Sequence, residues 1–147
     1  MLGLINLELV GLGDKLAIWP VNQASSGSVL EMLEQCSKAC KIETRRFDRI
    51  VTNMADHLSF QRAGLADSFT ITCISDKDIE AANRYYKAMR EGAGKEALLK
   101  ILSQAPIFAN YHKPGDSYDK IDPKAILMVS SVVWDTIKAK WLIPGNE

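Results

Sequence analysis

The fold is decided by residues 111–141, YHKPGDSYDKIDPKAILMVSSVVWDTIKAKW, in which a polar loop leads into an amphipathic segment. Asp122 suits the N-cap of a helix and Pro123 its first position. Apolar residues then recur at helical spacing, which predicts a helix to about Trp141. The predicted apolar face comprises Ala125, Ile126, Val129, Val132, Val133, Thr136 and Ile137. Such a one-sided helix packs against another layer of structure.

Short apolar segments elsewhere predict β-strands. Residues 2–10 are rich in Leu, Ile and Val, and Lys15–Trp19 ends at Pro20. The turn signal of Gly11–Asp14 between them predicts a hairpin. The β-branched segment Phe69–Ile74 predicts another strand, and Lys41–Arg46 a short one.

Helices are predicted between these strands. Ser28 and Glu31 have the spacing of a capping box, which predicts a helix over residues 28–40. The other predicted helices span Asp56–Gly64, Ser75 to near Gly92, and Lys95–Leu102, with an ordered loop at Phe47–Ala55 and a long loop at Ala105–Ile121. The alternating order predicts a single α/β domain over residues 1–147, with three layers in which helices flank a mixed sheet.

Composition excludes several classes of function. The 18 basic and 18 acidic residues balance, which gives no electrostatic case for nucleic acid or an anionic membrane as partner. No apolar run reaches the length of a membrane span, and the apolar start lacks a basic region typical of a signal peptide. Three cysteines do not suggest a disulfide framework, so we expect a reduced, cytoplasmic protein.

His112 is the clearest candidate for chemistry. It is one of two histidines and lies in a loop bounded by Pro114 and Gly115, where ligands and catalytic groups are often placed. The alternative is a histidine that hydrogen-bonds nearby carboxylates such as Asp116. Asp56 and Glu8 also have alternatives: Asp56 as the N-cap of its helix, and Glu8 as a paired or solvent-exposed carboxylate at a strand end.

Three motifs together resemble the zinc aminopeptidases of metallopeptidase family 28, a fold that glutaminyl cyclases share. In chain order the motifs are Asn6-Leu7-Glu8-Leu9-Val10-Gly11, Asp56-His57-Leu58-Ser59-Phe60 with Ala63-Gly64, and Tyr111-His112 with Asp116 and Lys120-Ile121-Asp122. The match covers nearly the whole chain but only the C-terminal portion of such an enzyme. It implies a partial zinc-exopeptidase fold.

The resemblance also implies roles for individual residues. The histidine of the Tyr-His motif is a zinc ligand in the family, which assigns His112 to the metal. The family strand motif usually reads Asn-Leu-Asp-Met-Val-Gly with a metal-binding Asp, a position that Glu8 occupies here. The Asp-His pair lines the family's active site, which assigns Asp56 and His57 to substrate binding.

The remaining family ligands and the general base precede the strand motif, and only seven residues precede Glu8 in this sequence. Because a catalytic zinc generally takes three protein ligands, we expect the chain alone to be a weak or inactive peptidase. A second hypothesis is a non-catalytic interaction module that homodimerises through an exposed sheet edge. A third is a metal site rebuilt from His57, Asp116 or Glu43. The expected partner is therefore a peptide substrate or a complementary chain.

Overall fold

The computed structural model describes residues 3–48 and 55–142. Four strands form the sheet: β1 Leu4–Leu7, β2 Lys15–Trp19, β3 Thr44–Arg46 and β4 Ser68–Ile74. The helices are α1 Ser28–Ala39, α2 His57–Arg62, α3 Asp76–Arg90, α4 Lys95–Leu102, α5 Pro106–Ala109 and α6 Pro123–Ile137, with a 3₁₀ turn at Tyr118–Lys120 and a π-helical turn at Lys138–Leu142. Most of the predicted loop at Phe47–Ala55 lies outside the described residues.

The sheet is mixed, with strand order β1-β4-β2-β3. β4 pairs in parallel with β1 and antiparallel with β2, and β2 pairs in parallel with β3. The predicted hairpin of the first two strands is therefore wrong, because β4 lies between them. A local turn signal cannot reveal a strand that arrives from more than fifty residues later in the chain.

Each face of the sheet carries its own apolar cluster. Phe69, Ile71 and Cys73 of β4 point into a cluster with residues of α1 and α6. The opposite cluster joins Ala17 and Trp19 of β2 to residues of α3 and α5. Helices thus cover both faces, which confirms the predicted α/β architecture of three layers with a mixed sheet.

Local signals predicted several helix boundaries correctly. Ser75 and Asp78 form a reciprocal capping box at the start of α3, and the Asp122 carboxylate accepts a hydrogen bond of 2.9 Å from the backbone N–H of Lys124. Gly64 follows α2 with a positive φ of 94°, the left-handed conformation that glycine tolerates best. Ala125, Val129, Val132 and Thr136 are the buried residues of α6, whereas Ile126 is 37% exposed, contrary to the predicted apolar face.

The predicted capping box at Ser28 is wrong. Ser28 is the first residue of α1 and not its N-cap. The N-cap residue is Gly27, which has no side chain to accept a capping hydrogen bond. Instead, the Asp67 carboxylate accepts hydrogen bonds from the backbone N–H groups of Val29 at 2.7 Å and Leu30 at 3.3 Å. The loop before β4 therefore supplies the cap of α1.

Candidate active site

The candidate site lies where β1 ends. The Glu8 amide donates a hydrogen bond of 3.1 Å to the Ile71 carbonyl, which continues the pairing with β4 past the end of the strand. The Glu8 side chain is half-buried, and its Oε2 atom is buried without a hydrogen-bond partner in the structure. A carboxylate oxygen in that state is costly unless it receives a proton, a cation or a donor.

A cleft of about 490 Å³ opens beside Glu8. Asp56 borders the cleft from the N-terminal end of α2, and Arg62 from α2 itself. Tyr111 borders it from the loop after α5. Asp56 is exposed, and its carboxylate makes no capping hydrogen bond with α2. The alternative prediction, in which the Asp56 carboxylate caps α2, is therefore wrong. The carboxylate is available to the cleft.

Electrostatics link Glu8 to two other candidate residues. Burial raises the pKa of the Glu8 carboxyl above its ordinary value, the nearby negative charge of Asp56 raises it further, and His112 lowers it. Asp56 and His112 therefore each lie within electrostatic range of Glu8, although the three residues come from separate segments of the chain.

The backbone of the loop presents His112 to solvent. His112 has a positive φ of 54°, and its exposed ring stacks on Tyr111 at a centroid distance of 4.0 Å. The turn behind it is held by backbone hydrogen bonds from Lys113 to Asn110 at 3.0 Å and from Asp116 to Lys113 at 2.9 Å. The imidazole thus stacks on a ring that borders the cleft.

His57 occupies a different environment, because its side chain is fully buried. Its Nδ1 atom lies 2.6 Å from the Thr70 hydroxyl, and its ring meets the Trp19 ring edge-on at 5.5 Å. Its Nε2 atom has no partner in the structure, and burial lowers its pKa. His57 thus supports α2 from beneath the cleft, and its role in substrate binding stays a prediction, as does that of Asp56.

A second pocket, of about 250 Å³, adjoins the cleft and shares Tyr111 with it. Leu9, Ile107 and Ile121 give it an apolar wall, and Asp116 lies at its polar side. Such a combination suits an apolar side chain held beside a polar reaction centre.

Zinc binding places a requirement on the number of donor side chains. A catalytic zinc requires about three donors at ligand distance. Within residues 3–48 and 55–142, no group of three His, Cys, Asp or Glu side chains is placed to hold a metal ion. The proposed metal ligands Glu8 and His112 therefore do not form a zinc site with the other described residues, and neither do His57, Asp116 and Glu43.

Comparison with known proteins identifies the class. A family model described as Peptidase family M28 matches residues 2–137, and the chain belongs to that family. No curated protein and no solved structure matched the chain. In the described part of the chain, no helix is long and apolar enough to cross a membrane.

Sequence reasoning missed the polar side chains that support the site. Asn6 Nδ2 donates to the Thr70 hydroxyl at 3.0 Å, and Trp19 Nε1 donates to Thr72 at 3.0 Å. Threonine is common in β-strands because of its β-propensity, so the sequence did not distinguish Thr70 as a supporting residue. The available clue was the pattern of polar residues Ser68, Thr70 and Thr72 at alternate positions of one strand, which is buried throughout.

Proposed function

We propose that this chain forms the C-terminal portion of a zinc-dependent aminopeptidase domain of family M28. In a complete site, Glu8 and His112 would bind the metal and Asp56 would shape the substrate site. The observation that carries the proposal is the buried, unpartnered Oε2 atom of Glu8, which lies within electrostatic range of Asp56 and His112. The bound metal would supply a Lewis acid for hydrolysis at a peptide N-terminus.

The substrate proposed is a peptide. The apolar pocket beside Tyr111 suits the side chain of an N-terminal residue, and the two carboxylates of the cleft, Glu8 and Asp56, which outnumber its one cation, Arg62, suit the ammonium group. The side chains of this chain thus bind and orient a peptide. We propose that hydrolysis by the chain alone is weak or absent, since further metal donors and a general base must come from elsewhere.

Aminoacyl-anilide hydrolysis tests this proposal. The chain is assayed with added zinc or cobalt, beside His112→Ala and the exposed control Lys113→Ala. We expect little or no turnover by the chain alone and no difference among the three proteins. Robust turnover by the chain, lost in His112→Ala and retained in Lys113→Ala, would overturn the claim that the site is incomplete.

A second candidate is a non-catalytic interaction module that homodimerises through the β1 edge. β1 is an outer strand of the sheet, and the amides of Leu4 and Glu8 donate towards β4. In a parallel ladder the intervening amides point the other way, so the outer edge offers hydrogen-bonding groups. Leu7 on this strand is 48% exposed. Light scattering that shows only monomer would exclude this candidate.

The proposed compartment is the cytoplasm. Cys36, Cys40 and Cys73 are all unpaired in the structure. Free thiols persist best in a reducing compartment. Modification of all three thiols by an alkylating reagent after unfolding, without prior reduction, would support the proposal, and a protected pair would contradict it.

A further inference from the structure

One charged side chain of the cleft beside Glu8 has no role in the proposed function. Arg62 of α2 borders this cleft, and its side chain is exposed. In the described part of the chain, its guanidinium forms no ion pair and no hydrogen bond. Arg46, by contrast, donates to both carboxylate oxygens of Glu34, at 2.7 Å each. The donors of an arginine match the two oxygens of a carboxylate, so Arg62 can hold such a group of a ligand.

Arg62 lies apart from the two carboxylates of the cleft. The helical rise of 1.5 Å per residue sets Arg62 about 9 Å further along the axis of α2 than Asp56. Burial, Asp56 and His112 are the causes that shift the pKa of Glu8, and the charge of Arg62 is not among them. The cleft is therefore negative at one end and positive at the other.

A cleft with separated charges is complementary to a ligand with an ammonium group at one end and a carboxylate at the other. A free amino acid is too short, because both groups are attached to the same carbon. An extended peptide spans at most about 3.6 Å per residue, so two residues reach about 7 Å and three about 11 Å. These lengths bracket the distance along α2 between Asp56 and Arg62, and a longer peptide would carry its carboxylate past the guanidinium.

We propose that the substrate is a dipeptide or tripeptide whose free C-terminal carboxylate binds Arg62. This binding mode rests on the proposed function, which sets the ammonium group at Glu8 and Asp56 and the first side chain in the pocket beside Tyr111. The rest of the peptide then follows α2 towards Arg62. Ser59, which also borders the cleft, lies one turn before Arg62, and its exposed hydroxyl can donate to a peptide carbonyl.

The exposure of Arg62 sets the size of the expected selectivity. Ion pairs that solvent reaches change an affinity about two- to fivefold. Without Arg62, the carboxylates of Glu8 and Asp56 would repel the carboxylate of the peptide. A peptide amide would then bind at least as tightly as the free peptide. A preference for the free peptide over its amide is therefore specific to the arginine.

The test is an NMR titration of the full chain with leucyl-glycine and with leucyl-glycinamide, which differ only in the terminal carboxylate. We expect the parent protein to bind leucyl-glycine about two- to fivefold more tightly. Arg62→Gln should abolish this preference, and Arg62→Lys, which keeps the charge, should retain part of it. Arg84→Gln, which removes the same charge from an exposed position on α3, should preserve it. Unfolding temperatures of the variants should stay close to that of the parent because both arginines are exposed.

A third ligand, N-acetyl-leucyl-glycine, lacks the ammonium group and separates this inference from the proposed function. We expect it to bind more weakly than leucyl-glycine. Equal binding of leucyl-glycine and its amide by the parent, with weaker binding of the acetylated peptide, would overturn the role of Arg62 and leave the proposed ammonium site in place. Equal binding of the acetylated and free peptides would overturn the ammonium site and the substrate class together. Failure of all three ligands to bind would overturn both this inference and the proposed peptide binding.

Discussion

The Nδ1 atom of His57 lies 2.6 Å from the hydroxyl oxygen of Thr70. The same oxygen accepts a hydrogen bond of 3.0 Å from Asn6 Nδ2. One threonine on β4 therefore holds both the strand that leads to Glu8 and the helix that follows Asp56. Since Glu8 and Asp56 both border the cleft, Thr70 supports the candidate site from within the core.

Thr70→Val should therefore destabilise the protein. The substitution keeps the shape of the side chain but leaves Asn6 and His57 without their partner, which costs about 1–3 kcal/mol of unfolding free energy. Thr136→Val is the matched control, because the Thr136 hydroxyl is buried and donates only to the Val132 carbonyl one turn earlier. Urea denaturation measures both. Equal losses in the two variants would show that Thr70 has no special role.

Acid should weaken the fold through His57. Burial lowers the pKa of His57 below its ordinary 6.5, so the unfolded chain binds a proton more readily than the folded protein. The contribution of the neutral ring to the unfolding free energy is fully present above the ordinary pKa. It is lost as the pH falls from that value through the lower pKa of the folded protein. His57→Gln should flatten the decline between about pH 7 and pH 5.

The second histidine is the control for that experiment. His112 is exposed, and His112→Gln should keep the decline of the parent protein. Unfolding free energies from urea titrations at each pH give both slopes. A decline that disappears in His112→Gln and persists in His57→Gln would assign the acid sensitivity to the wrong histidine and contradict the account.

Features set by residues close together in sequence were predictable, whereas features set by residues far apart in sequence were not. Asp122 with Pro123, and Ser75 with Asp78, are local signals, and both mark true helix starts. The pairing of β2 with β4 depends on residues far apart in sequence, so the predicted hairpin failed. The resemblance placed Glu8, Asp56 and His112 among the candidates. It did not reveal Thr70, whose importance arises from three segments meeting in space.

Glu8→Gln should stabilise the protein near neutral pH. Burial and the charge of Asp56 raise the Glu8 pKa, so the folded protein disfavours its ionised form. The protonated carboxyl contributes stability in acid, and this contribution is lost as the pH rises from the ordinary pKa of 4.5 through the raised pKa of the folded protein. The glutamine side chain carries no charge and so avoids that loss. We expect Glu8→Gln to raise the unfolding free energy by up to about 1 kcal/mol at neutral pH.

The pH dependence separates this explanation from a simple packing effect. The advantage of Glu8→Gln should disappear in acid, where the parent side chain is also uncharged. Exposed Glu80→Gln on α3 should change stability little at any pH. If Glu8→Gln is destabilising at neutral pH, the carboxylate has a favourable partner and the description of its environment is wrong.

The cap of α1 should be sensitive to a residue distant in sequence. Asp67→Ala removes the carboxylate that receives the Val29 and Leu30 amides, at an expected cost of about 1–2 kcal/mol. Ser28→Ala, at the position that sequence alone favours as the cap, should change stability by less than about 0.5 kcal/mol. Thermal unfolding followed by circular dichroism compares the two. The reverse order would restore Ser28 as the cap.

The number of donors that this chain offers to a metal is the central question, and metal analysis addresses it directly. The chain is purified without chelator, equilibrated with zinc, dialysed, and measured for zinc per chain, with cobalt substitution to report the ligand geometry by absorption. We predict clearly less than one tightly retained zinc and no tetrahedral cobalt spectrum. One retained zinc per chain, with a tetrahedral spectrum that His112→Ala abolishes, would contradict the account.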